Sequence, residues 1–346
     1  MTMLDIAQPT TAARDYHTVR STVGVYQVTT PLVRITGDDR LALLDSFLSK
    51  SSDFVEPETV REVLALTAGG DPFAIFLHLE LNEESWLLAR NPVEVGALRD
   101  YLAALEVPDE VTVEVAPAGW GATAFEGPQA WSVAAQFVDY DISGLTLHAV
   151  TEVQVPDADG AAFLARVGTT GEYGYLLVSE APETARDVVL SSASGIGGGA
   201  VGDEGLARVQ AEAGMAVYHR GLAGLSVNDA DLAWMISWDR IGDFLGSADL
   251  EPPTAGSAKL TALAGPSGTT FATGTAILAG AVQVGKVSWQ TPSANPDEEL
   301  VMGVLDAPFW VPGLPLRAEA TDGTVVPLTT VTLPRVFAAS SHTRIG

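Results

Sequence analysis

The chain has 346 residues, more than the roughly 250–300 at which a single hydrophobic core stops growing, so two or three packed units are expected. Its 44 acidic and 18 basic residues leave a formal charge of −26, which repels phosphate backbones and anionic lipid and argues against nucleic-acid or membrane partners. Without cysteine there are no disulfides, thiolate nucleophiles or cysteine metal sites; the five histidines, at 17, 78, 148, 219 and 342, lack metal-ligand spacing, so no metal is expected.

The opening residues 1–22 read as an N-terminal arm. They lack the basic start and apolar run of a secretion signal. The longest apolar stretches, such as "PFAIFLHLEL" at 72–81, are half a membrane span, and a soluble, cytoplasmic protein is expected.

"VRITGDDRLALLDSFL" (33–48) has the form of a strand, a glycine turn and a helix. "TAFEGPQAWSVAAQFV" (123–138) repeats that form, with Gly127 following Gly37 by 90 positions. A strand–turn–helix plan recurs between 85–105 and 174–193 at an offset of 89 from Trp86 to Tyr175. The two pairs predict tandem α/β units, a first over 23–107 and a second, with an added helical segment, over 108–258. The glycine-rich stretch 191–204 reads as a loop; no basic residue follows its "GIGGG", so it is no phosphate cradle. A helical segment is predicted over 204–219, with Gly214 marking its end or a tight turn. From 259 to 346, short alternating segments broken by turns predict an antiparallel barrel.

Several stretches, in fixed order from about 24 to 336, resemble the folate-binding aminomethyltransferase superfamily, whose best-known member is the glycine-cleavage T-protein. They include "FEGPQA" (125–130), similar to a Q-G-P-x-A turn, and "GTTGEYGYLLV" (168–178), similar to a Y-T-G-E-x-G-x-E segment. "AEAGMAVYHRGL" (211–222), "SVNDADLAW" (226–234) and "GDFLG" (242–246) also resemble segments of that superfamily, the second of them a helix. The resemblance implies an α+β fold: two related ferredoxin-like units and a C-terminal antiparallel β-barrel around a central pocket. It implies tetrahydrofolate as cofactor and Glu172 as the carboxylate that pairs with the donor edge of the pterin.

Other positions depart from the pattern. Phe73 and Ala74 stand where the resembled segment has two acids, Thr169 replaces its tyrosine, Leu176 its second glutamate, and Gln210 its arginine. These losses, and a net charge ill suited to an acidic lipoyl carrier protein, argue against a T-protein proper. A flavin partner is conceivable from the resemblance, although the chain has no dinucleotide fingerprint.

The resulting expectation is a tetrahydrofolate-dependent methyl or one-carbon transferase, or demethylase, acting on a small molecule in specialised metabolism. The alternatives are a folate-independent enzyme using the same pocket and a non-catalytic folate-binding protein. His219, His78 and Tyr218 are the candidate acid–base groups. Glu172, Asn91, Tyr26, Thr169 and Trp289 are the candidate cofactor contacts, while Asp229 and Trp234 are expected to support the pocket. Each has a plainer structural reading as a turn, core or capping residue.

Overall fold

The computed structural model describes residues 12–53, 55–215, 224–293 and 297–346. Helix α1 (Ala12–Ser21) and strand β1 (Gly24–Val28) precede β2 (Leu32–Thr36), α2 (Arg40–Phe47), β3 (Thr59–Leu66), β4 (Pro72–Glu80), β5 (Glu84–Ala89), α3 (Val95–Ala103) and β6 (Thr112–Val115). The second run is β7 (Gly121–Glu126), α4 (Ala130–Ala134), β8 (Val150–Val153), β9 (Ala162–Ala165), β10 (Gly174–Ser179), α5 (Pro182–Gly195), β11 (Gly199–Ala200) and α6 (Asp203–Ala213).

The predicted repeat is visible in the backbone. Gly37 and Gly127 form matching strand-to-helix turns after β2 and β7, with φ of 114° and 149°. A Cβ there would lie 2.2 Å from the carbonyl oxygen of Glu110 or 2.1 Å from that of Thr22, so only glycine fits. One sheet runs β3-β4-β5-β2-β6; the other, read from its far edge, runs β8-β9-β10-β7-β1-β11. Corresponding strands therefore hold corresponding places.

Strand pairing crosses the boundary expected at 107. β1 pairs antiparallel with β7 in the second sheet, with Tyr26 opposite Ala124, and β6 completes the first sheet beside β2. Each central strand leaves one open edge, and the strand that fills it need not come from the same stretch of chain.

The two sheets pack face to face through Leu77, Leu79, Trp86 and Leu88 on one side and Ala124, Phe163, Leu176 and Val178 on the other. Their outer faces are covered by α2 and α3 in the first case and by α4 and α5 in the second. Alternation along each strand supplies both faces, because successive side chains point to opposite sides.

Six further strands, β12 (Lys259–Pro266), β13 (Ala276–Ala279), β14 (Val282–Pro292), β15 (Glu298–Leu305), β16 (Pro315–Glu319) and β17 (Val325–Val331), close into the expected barrel. α6 joins it to the rest, packing Ala207 and Ala211 against Trp289, Leu300 and Met302. On its other side α6 carries α1 through Val209, Tyr16 and Val19.

The structure refines three local readings. α5 continues to Gly195, into the stretch expected to be a loop, because Ala185, Val189 and Ala193 form a buried stripe at four-residue spacing. α6 ends at Ala213, where Gly214 adopts φ 92° as its left-handed cap. "SVNDADLAW" forms turns and a short 3-10 segment, Ala233–Met235, in place of a longer helix. Among the described residues, no helix is long and apolar enough to cross a membrane.

Candidate functional site

A cavity of about 200 Å³ opens where the two sheets meet α6. Leu88, Ala124 and Leu176 continue the inter-sheet core into its wall, while Tyr26, Glu126 and Gln210 bring polar atoms to it. Along β7, Ala122, Ala124 and Glu126 share one face at two-residue spacing, so the apolar stripe ends in a carboxylate.

Glu126 is 1% exposed and receives five hydrogen bonds. Tyr26 OH donates to Oε1 at 2.5 Å and Thr169 Oγ1 at 2.9 Å. Oε2 accepts from the backbone N–H groups of Thr169 (2.8 Å) and Thr170 (2.9 Å) and from Thr170 Oγ1 (2.7 Å). An ionised carboxylate only accepts, and here it satisfies the whole turn that follows β9. Gly168 permits the approach, since a Cβ there would sit 2.6 Å from Glu126 Oε2. Burial, then the charge of Glu126, pushes the Tyr26 phenol well above its ordinary pKa, so it stays a donor.

Gln210 extends this chain. Its Nε2 donates to Thr169 Oγ1 at 3.0 Å, and its Oε1 accepts no hydrogen bond among the described residues. Arg90, also in the wall, points its guanidinium at Glu62, 3.2 Å away, and at the carbonyl of Gly168.

The structure brings Tyr26 and Thr169 to the cavity and places other expected residues elsewhere. Glu172 is not part of its wall. One carboxylate oxygen accepts from Arg20 Nη1 at 3.0 Å and the Ala339 N–H at 3.2 Å; the other accepts from the Ser340 N–H at 2.9 Å and hydroxyl at 2.6 Å. The expected pterin anchor is instead a staple joining α1, the 168–174 turn and the C-terminal segment. All its partners lie about 150 or more residues away, beyond the reach of local pattern.

Asn91 is also structural here: Oδ1 accepts from Ile75 N–H at 2.8 Å, and Nδ2 reaches the Phe73 carbonyl. Trp289 packs on α6 from the barrel and does not line the cavity. Phe73 stacks on Tyr101 at 4.1 Å, and Trp234 is 62% exposed beside Lys50 rather than supporting the cavity. Tyr218 and His219 lie outside the described residues.

His78 shares a face of β4 with Ala74 and Phe76, toward α2 and α3, while Leu77 and Leu79 face the other sheet. Its Nδ1 accepts from Arg61 Nε at 3.2 Å, which leaves the ring proton on Nε2 to donate to Glu80 at 3.0 Å. Burial lowers the pKa of His78. Burial acts to raise that of Glu80, but hydrogen bonds from His78, Ser85 and Arg40 outweigh it and hold the carboxyl below its ordinary value. The imidazole is thus a neutral internal link and not a cavity acid.

Glu126 was missed as a site residue, although "FEGPQA" contained the signal: a glutamate where the resembled turn has glutamine, in phase with Ala122 and Ala124. Among the described residues, no cluster of His, Asp and Glu is arranged to hold a metal ion.

No family model matches the chain. It is 26% identical to an aminomethyltransferase of Streptomyces coelicolor over 313 residues, 87% of this chain and 83% of that protein. A shorter match, 32% over 130 residues, covers 37% of this chain and 34% of an aminomethyltransferase of Herpetosiphon aurantiacus. In three dimensions the chain superposes on the glycine cleavage system aminomethyltransferase T of Bartonella henselae with a TM-score of 0.79 at 19% identity, covering 95% of this chain and 91% of that one. That likeness establishes the fold.

Proposed function

We propose that this chain, a divergent T-protein-like relative of the aminomethyltransferases, is a tetrahydrofolate-dependent one-carbon transferase acting on a small molecule. The observation that carries this reading is the cavity itself, with apolar walls for a flat ring and a buried acceptor in its wall, Gln210 Oε1, that meets no donor among the described residues. A reduced pterin presents N–H donors along one edge. Glu126 and Glu172 are committed within the protein, Leu176 stands where the resembled segment has a glutamate, and Asp203 and Gln27 are exposed at the mouth, so Gln210 is the buried acceptor that can meet that edge.

When bound, tetrahydrofolate supplies the nitrogen that takes or gives the carbon unit. The protein orients it. Gln210, fixed by Thr169, sets the ring's edge; Leu88, Ala124 and Leu176 exclude water from its faces; Tyr26 keeps its proton and closes one side. A cavity of this volume would hold the ring, and the rest of the carrier would lie outside it, beyond the mouth where Gln27 and Asp203 are exposed. A net charge of −26 disfavours docking of an acidic carrier protein, which supports a small-molecule partner.

The committed carboxylates favour a second reading, a folate-independent enzyme on the same fold. Anaerobic titration of tetrahydrofolate into wild type and Gln210→Leu separates the two. Wild-type binding weakened about tenfold or more in the variant, as expected for a lost hydrogen bond to a desolvated donor, supports folate. Absence of binding to wild type supports the second reading.

A further inference from the structure

We infer that Glu126 makes the cavity selective for positive charge: between ligands of equal shape, it favours one with a cationic centre over its neutral isostere. This inference rests on the cavity and not on folate.

Five donors orient the Glu126 carboxylate, yet all are neutral hydroxyl or amide groups, and hydrogen bonds from neutral groups leave the unit charge in place. No ion pair to Glu126 forms among the described residues. The cation in the wall, Arg90, is directed to Glu62 and the Gly168 carbonyl. Asp203, at the mouth, adds a second negative charge. A charge behind apolar walls is poorly screened by water, so its attraction for a cation in the cavity is stronger than on the surface.

The same geometry allows the charge to be removed with little change of shape. In Glu126→Gln the amide oxygen can take the place of Oε2 and accept from the Thr169 and Thr170 N–H groups. The amide NH₂ then occupies the place of Oε1, facing the hydroxyls of Tyr26 and Thr169, which can rotate to accept. The shape is kept and the charge is lost, while the Tyr26 and Thr169 hydroxyl protons turn to other acceptors.

The test is a pair of probes, choline and its uncharged analogue 3,3-dimethylbutan-1-ol, titrated by NMR into wild type, Glu126→Gln and Asp203→Asn. Wild type is expected to bind choline at least about tenfold more tightly than the alcohol. Glu126→Gln should lose that preference, and Asp203→Asn should retain it. Equal binding of the two probes by wild type, or binding of neither, overturns the inference, whether or not Glu126→Gln folds. Discrimination that survives in Glu126→Gln, or that disappears in Asp203→Asn, overturns it as well. Because neither probe is a folate, these results are independent of the tetrahydrofolate titration.

Discussion

Arg20 and Glu172, 152 residues apart in the chain, meet at 3.0 Å with the glutamate side chain fully buried and the arginine 12% exposed. Ser340 and Ala339 complete the carboxylate's shell. Both ends of the described chain are thereby fastened to the turn that supplies Thr169 to the cavity.

Removing one partner of this pair leaves a buried charge. Glu172→Ala should lower stability to urea by about 3 kcal/mol or more. Arg20→Met, which also takes a cation from buried Glu212, 3.6 Å away, and so leaves two buried carboxylates, should cost at least as much. A Glu172→Ala protein of wild-type stability would refute the staple.

Tyr26→Phe removes one donor from Glu126 without changing the ring. The loss should be about 2 kcal/mol, the scale for a hydrogen bond to a buried charged group, measured as a shift in the urea midpoint at constant slope. Four donors remain on Glu126, so the turn at 168–170 should stay folded.

His78 makes stability depend on pH below neutrality. Its folded pKa lies beneath the ordinary 6.5 of a free imidazole, so on acidification from about that pH the unfolded chain takes up a proton that the folded chain does not. Stability should therefore fall as pH drops below about 6.5, until His78 also titrates in the folded state. His78→Asn should flatten that part of the curve; a slope equal to wild type would refute the burial of a neutral imidazole.

The opposite edge of the pH range belongs to tyrosine. Burial, joined by the charge of Glu212, pushes Tyr16 up to about 12; burial also pushes Tyr175 to about 12, against the charge of Arg166. An unfolded tyrosine ionises near 10, so between the two values the unfolded chain holds fewer protons. The stability these residues contribute is complete below about pH 10 and should be lost as pH rises toward about 12. Tyr16→Phe and Tyr175→Phe should each reduce the slope of the denaturation midpoint against pH in that window.

Much of the fold was legible in the sequence because it is written in short periods. Gly37 and Gly127 marked equivalent turns, apolar spacing marked the helices after them, and alternating segments from residue 259 marked the barrel. Of the site, Tyr26 and Thr169 were named beside the family resemblance and do line the cavity, while Glu126 could have been found from its strand phase with Ala124.

His78 was ambiguous because alternation separates two faces without saying which one meets the other sheet. Glu172 misled for a different reason: its neighbours in sequence are turn residues, and its neighbours in space come from the two ends of the chain. The sequence by itself determined the repeated units, the barrel and the absence of cysteine chemistry, since these follow from local period and composition. Only the tertiary structure decided which carboxylate meets the cavity, because that depends on which strands pair across the sheets and on which donors converge from distant segments.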